Sequence, residues 1–240
     1  MRVTEENFGS ASSHIPAEWS AIDWRKVQKN VRVMQHRLAK ATSDSDWRRV
    51  KALQRWLTHS FCAKAAAIKR VTENQGKRTS GVDRQLWETP QLKHAAIANL
   101  GKSRYRPLPL RRVNIPKTNG TLRPLGIPTM KDRAMQALHL LALDPVLETV
   151  SDQNSYGFRK NRATADAMSQ IFVRLSRKGS AEWVLDADIE GFFDNISHQW
   201  MIDNVRMDKS ILTKWLKSGV VDGKQLLATT AGTPQGGIIS

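Results

Sequence analysis

The sequence predicts an α+β protein, with helices gathered ahead of and around short strands. Three observations predict it. Helical periodicity fills the first third of the chain. Two short basic strands joined through Asn119-Gly120 follow. A buried-looking strand, Trp183 to Ile189, then runs into the acidic segment Asp186-Ala187-Asp188-Ile189-Glu190-Gly191-Phe192-Phe193-Asp194.

Residues 1–20 are polar and Ser-rich and read as a loose terminus. Trp24, Val27, Val31, Met34 and Leu38 recur at steps of three and four, which draws one apolar stripe on a helix. Ser43 to Asp46 offer N-cap residues for a second helix with Trp47, Val50, Leu53, Leu57 and Phe61 inward. Its other face carries Arg48, Arg49, Lys51, Arg55 and Lys64. Such a face is usually only solvated; the alternative lays it along RNA. Gly76-Lys77-Arg78-Thr79-Ser80-Gly81-Val82-Asp83 breaks the pattern as a loop. A boundary is expected near it, between a helical extension over 21–83 and the main fold over 84–240.

Residues 87–100 read as helical. Arg111 to Ile115 and Thr121 to Ile127 read as strands, and Asn-Gly supplies the positive φ angles of a tight hairpin turn. Lys117 is expected near the hairpin tip and Arg123 on the return strand. Residues 130–149 read as a buried helix with Met130, Ala134, Leu138, Leu141 and Leu147 inward. Ser155 to Arg159 form an aromatic turn, and Ala163 to Leu175 another helix. After the Trp183–Ile189 strand come a helix opened by Asn195 or Ser197, a helical stretch over 209–222, and a Gly-rich turn at Gly232 to Gly237 leading into a further helix.

Composition narrows function. Lys plus Arg number 38 against 22 Asp plus Glu, a formal net charge of +16. Nine of those cations lie between Lys102 and Arg133, with Asp132 the single acid there. Clustered positive charge points to a polyanion, most often nucleic acid. The lone Cys62 excludes an internal disulfide and a cysteine-based zinc site. No signal-peptide core and no apolar run of membrane length appears, so a cytoplasmic protein with no membrane partner is expected.

Acids set among apolar residues need a compensating cation or donor. In a strand, Asp186 and Asp188 share a face, and Asp194 lies past the bend at Gly191. That pattern suits a divalent-metal site, or a strand-end acid plus an N-cap acid with no metal; spacing alone does not choose the ligand. The basic hairpin suits a polynucleotide backbone, a nucleoside triphosphate, or water. Phe192 and Phe193 suit a core pair or a steric sensor of a sugar 2′ position. Gln235, between Pro234 and two glycines, suits a contact to a sugar or base edge.

Taken in order, these segments resemble the reverse transcriptase domain of bacterial group II intron-encoded proteins, from about Trp24 to Ser240. Gly76–Asp83 is similar to the close of that family's N-terminal extension. Asn114-Ile115-Pro116-Lys117 with Leu122-Arg123-Pro124-Leu125-Gly126-Ile127-Pro128 looks like its fingers hairpin, and Ser155-Tyr156-Gly157-Phe158-Arg159 like the next block. Ala187 to Asp194 resembles polymerase motif A, and Gly232-Thr233-Pro234-Gln235-Gly236-Gly237 motif B. Lys160-Asn161 stands where many relatives carry Pro-Gly.

The resemblance implies the fingers and part of the palm of a right-hand polymerase behind the helical extension, with an antiparallel, incomplete sheet that leaves an edge exposed. It implies RNA-directed DNA synthesis, two Mg²⁺ ions in the complete enzyme, dNTP as substrate, and RNA and a DNA primer as partners, with assistance to intron splicing. Asp188 is then the catalytic metal ligand, joined by the backbone carbonyl of Ile189, and Asp186 either supports that ligand or is structural. Lys117 and Arg123 hold the triphosphate, Phe193 excludes ribonucleotides, and Gln235 contacts the nucleotide near its ribose. Arg48, Arg49, Arg55, Lys64, Lys77, Arg78, Arg111 and Arg112 are expected to meet RNA. The family's Tyr-Ala-Asp-Asp block does not occur in these residues, so the chain alone is expected not to polymerise. A non-catalytic RNA-binding splicing factor and a defence-associated reverse transcriptase are the alternatives; a homodimer is left open.

Overall fold

The protein is described by a computed structural model over residues 18–101, 103, 105–118, 120–233 and 236–238. Helix α1 (Trp24–Ser43) starts where Asp23 accepts the backbone N–H groups of Arg25 and Lys26, satisfying two donors that a helix end leaves open. The predicted stripe is its buried side, through Val27, Val31 and Leu38. Asp46 caps α2 (Trp47–His59) by accepting from Arg49. The helix expected to run on to Phe61 and Lys64 instead breaks at Ser60. That residue is extended, and its hydroxyl accepts Ala63 N–H to open α3 (Phe61–Glu73). Trp47, expected inward, lies at the surface under the Arg206 guanidinium, 4.5 Å from the ring centroid.

Helix α4 (Pro90–Asn99) precedes the long α5 (Met130–Val150). Helices α1 and α3 both pack on α5. Fully buried Ala63, Ala65 and Ala67 keep α3 slim, and helix separation follows the size of contact side chains. One apolar core runs from Val27, Val31 and Leu57 through Ile68 and Val71 to Met135, Leu138 and Val146, and on to Ile211. Leu147, expected inward, is exposed.

Strands β1 (Leu110–Pro116) and β2 (Leu122–Ile127) form the expected antiparallel hairpin, with Arg112 opposite Gly126 and Ile115 opposite Arg123. Lys117 N–H bonds Thr121 O at 2.8 Å, and Gly120 adopts a φ of 79°.

The sheet as a whole is mixed, which corrects the antiparallel expectation. Its order is β2-β1-β3-β4, and β3 (Val220–Asp222) lies parallel to β1. Parallel neighbours need a long crossover, and here about a hundred residues of chain separate the two strands. Residues 209–222 are therefore not one helix: α9 (Lys209–Leu216) ends before β3, and β4 (Gln225–Leu227) folds back on it.

The Trp183–Ile189 strand is a second correction. Among the described residues this segment pairs with no strand, and Trp183 and Leu185 are 91% and 90% exposed. A strand exists only through its ladder, and an apolar run with nothing to cover it stays in water. Helix α6 (Thr164–Leu175) buries no residue. Gly191 leads into the short α7 (Phe192–Asn195), and Ser197 caps α8 (His198–Asn204) by accepting Trp200 N–H. Among the described residues, no helix is long and apolar enough to cross a membrane.

Candidate nucleotide site

The fold brings the hairpin and α7 together. Lys117, Arg123, Phe193 and Asp194 line one cavity of about 270 Å³, walled by Pro124, Leu125 and Gly126 of β2. Lys117 reaches it because the tight turn carries the residue to the hairpin tip, and Arg123 because it stands near the start of the return strand. The cavity joins cations to an aromatic ring. Lysine gives a compact charge for phosphate and arginine a planar fork, so the lining suits a phosphate-bearing ligand with a flat or apolar portion. Phe192 meets Phe193 edge-to-face at 5.5 Å, which helps hold the ring.

The segment after β4 clips α7 in place. Thr233 N–H bonds Phe193 O, Gly232 N–H bonds Ile196 O at 2.9 Å, and His198 Nε2 lies 2.7 Å from Gly232 O. Gly232 is required: a Cβ there would stand 2.6 Å from the carbonyl oxygens of both Phe193 and Asp194, and its φ is 74°. Farther along, a Cβ at Gly236 would lie 3.0 Å from Gly126 O, so this loop packs on the cavity wall. Ile238 N–H donates to Gln136 Oε1 at 3.0 Å. Gln235 lies outside the described residues.

Asp186, Asp188 and Ile189 do not line this cavity. Asp188 is exposed, and its Oδ1 accepts Ile189 N–H at 2.9 Å. A magnesium-type cation takes hard oxygen ligands, commonly one or two carboxylates with substrate phosphates and water. The Asp188 carboxylate fits that donor set through its other oxygen. Among the described residues, no three His, Cys, Asp or Glu side chains gather.

The residues expected to meet RNA divide. Arg48, Arg49 and Arg55 stand exposed on α2, and Lys64 is half-buried on α3. Lys77 and Arg78, in a 3₁₀ turn (Gln75–Arg78), border a separate cavity of about 190 Å³ with Trp87 and Lys93. Arg111 instead donates Nε and Nη2 to Ser80 O at 3.1 and 2.8 Å, and Arg112 pairs with Asp222 at 3.4 Å while also bordering the cavity beside the hairpin. Both are at least partly engaged within the protein.

The residues that set this geometry from below escaped the sequence reading. Asp132, Arg133 and Gln136 are buried polar groups on α5. Arg133 donates to the carbonyls of Pro128, Gly76 and Thr79, tying the 76–79 turn to α5. Their signal in the sequence is a set of polar residues on the apolar side of a helix.

Comparison with known proteins identifies the family. Residues 19–100 match the model of the N-terminal domain of reverse transcriptase, and residues 115–240 that of reverse transcriptase (RNA-dependent DNA polymerase). Protein YkfC of Escherichia coli K12 is 34% identical, over 86% of this chain and 58% of its own length. The group II intron-encoded protein LtrA of Lactococcus lactis is 33% identical, over 72% of this chain and 30% of its own. Maturase-like protein 1 of Euglena gracilis is 28% identical, over 82% and 43%. The chain thus spans less than two thirds of each. A partial Cas6-RT-Cas1–Cas2 complex aligns over 75% of this chain and 31% of that chain, at 22% identity and a TM-score of 0.45, too slight a likeness to carry an argument. With its two halves matching successive reverse transcriptase domains, the chain belongs to the reverse transcriptase family, with group II intron-encoded proteins among its relatives.

Proposed function

We propose that this chain carries the fingers and part of the palm of a group II intron-encoded RNA-directed DNA polymerase, and that it takes the incoming dNTP in the cavity between the hairpin and α7. That cavity carries the proposal, because it joins Lys117 and Arg123 to Phe193 from segments far apart in sequence. Lys117 and Arg123 hold the triphosphate. Phe193 lies against the sugar and leaves no room for a 2′-hydroxyl, and Gln235 approaches the ribose from the loop.

Asp188, with the Ile189 carbonyl, holds a divalent cation, on which reverse transcriptase domains depend. The chemistry Mg²⁺ supplies when bound is activation of the primer 3′-hydroxyl and neutralisation of the leaving pyrophosphate. One carboxylate does not hold a pair of ions, so the 240 residues by themselves incorporate no nucleotide. The exposed arginines of α2, with Lys64, Lys77 and Arg78 of the 21–83 extension, hold RNA through its phosphates.

Equilibrium binding of dATP with Mg²⁺ tests the reading. The chain is expected to bind dATP, and Lys117→Ala with Arg123→Ala to abolish that binding while RNA affinity persists. RNA binding with no dATP affinity in the unaltered chain would instead favour a non-catalytic splicing factor. Primer extension supplies a second arm: metal-dependent incorporation by the chain alone, lost in Asp188→Ala, would refute the statement that it holds too few carboxylates.

A further inference from the structure

The geometry points to Gln136 as a positioning residue for the nucleotide cavity, an inference that rests on the reading of that cavity as the dNTP site. Gln136 sits on α5, 8% exposed, and does not line the cavity. Its Oε1 accepts the Ile238 N–H at 3.0 Å, and the backbone of Gly237 passes so close that a Cβ there would stand 3.1 Å from the same oxygen. The loop held in this way presses Gly236 against Gly126 O. Gly126 is cavity wall, and across the hairpin it is paired with Arg112, which also borders the cavity.

A continuous set of contacts therefore runs from the Gln136 amide, through Ile238 and Gly236, to the strand that carries Arg123. The Gln136 side chain is an acceptor fixed on the longest buried helix of the fold. Ile238 also packs on the apolar core, and the directional hydrogen bond to Gln136 adds register to that contact where the loop is exposed at Gly236. Removing the acceptor would leave a backbone N–H without its partner and free the loop from the wall. The cavity would lose its preformed shape, and the nucleotide would bear the cost of ordering it.

The test uses the 240-residue chain and dATP with Mg²⁺. Gln136→Met keeps the volume and removes the acceptor; Gln136→Glu keeps an acceptor. The dissociation constant for dATP is expected to rise about tenfold in Gln136→Met, the factor that one ordinary hydrogen bond is worth, and to stay within about twofold of the unaltered chain in Gln136→Glu. RNA affinity stays unchanged in both. Amide exchange at Ile238 is expected to be slow in the unaltered chain and fast in Gln136→Met. A dATP affinity that Gln136→Met leaves intact overturns the inference. So does a parallel loss of dATP and RNA affinity, which is what general destabilisation produces. Failure of the unaltered chain to bind dATP would instead sink the nucleotide-site reading, and the exchange rate at Ile238 would still decide whether Gln136 holds the loop.

Discussion

Tyr105 donates its hydroxyl proton to Asp132 Oδ1 across 2.6 Å, with both side chains buried. Thr129 and the Leu108 N–H donate to the other carboxylate oxygen, at 2.7 and 3.2 Å. Trp215 Nε1 donates to the Tyr105 hydroxyl at 2.9 Å, and Lys214 Nζ to its carbonyl at 2.9 Å. One carboxylate thus ties the first turn of α5 to the approach to β1 and, through Tyr105, to α9. Burial raises the Asp132 pKa above its ordinary value of 3.8, even though the hydrogen bonds pull it down.

Tyr105→Phe is expected to cost about 1–3 kcal/mol at neutral pH, because it removes a donor from a buried acceptor. The sign of its pH dependence follows from the raised pKa. Folding favours protonated Asp132, so that contribution is fully present below the unfolded value and lost as pH rises through the folded one. Removing the Tyr105 donor lifts the folded value further. The deficit of Tyr105→Phe should therefore grow from acid toward neutral pH. Urea unfolding across that range checks it, and a deficit that shrinks toward neutral pH would refute it.

Gly232→Ala is expected to unseat the clip on α7. The new Cβ would meet two carbonyl oxygens at 2.6 Å from a left-handed backbone, where an L-residue alone costs about 1–2 kcal/mol. Gly157→Ala is the matched control, since a Cβ there meets nothing within 4 Å. Thermal unfolding should separate the two, with Gly157→Ala near the unaltered protein. Equal midpoints would mean that the 232–233 segment does not dock as described.

What the sequence made legible, and what it did not, divides along contact range. The α1 stripe is local, repeating every three or four residues, and Val27, Val31 and Leu38 are buried as read. The hairpin is local too, fixed by its turn. Strand β3 was not legible: three residues carry no period, and their partner β1 lies far back in the chain. Trp183-Val184-Leu185 misled for the converse reason, since its apolar side chains announce a strand whose existence depends on a partner the run cannot specify. At the candidate site, motif order singles out Lys117, Arg123 and Phe193, and the fold places all three along one cavity. Gln136 was not found, because its partner Ile238 lies about a hundred residues away.

The shared cavity makes two separable predictions. Arg123→Ala should weaken dATP binding by at least about tenfold, given that hydrogen bonds to charged groups contribute roughly 1.5–3 kcal/mol. Phe193→Val should leave dATP affinity nearly intact and raise ATP affinity toward it, because a smaller side chain vacates the space a 2′-hydroxyl needs. Competition between ATP and dATP reads the second effect. Unchanged discrimination in Phe193→Val would remove that residue from the role of sugar sensor.

Glu148 offers a test of opposite sign. Its carboxylate accepts Arg159 at 2.7 and 2.9 Å and Arg162 at 2.9 Å, and the Arg159 hydrogen bond is the main reason its pKa falls below the ordinary 4.5. Arg159 also donates to the carbonyls of Asp152 and Ser155, so this one pair shapes the turn between α5 and α6. A depressed carboxylate stabilises the fold above its unfolded pKa, and that contribution disappears as pH falls through the folded value. The side chain is half exposed, so the effect is at most about 1 kcal/mol. Glu148→Gln should therefore melt slightly below the unaltered protein at neutral pH, and the gap should close once acid protonates Glu148. A gap that persists unchanged into acid would show that the Arg159 and Arg162 contacts contribute no charge-dependent stability.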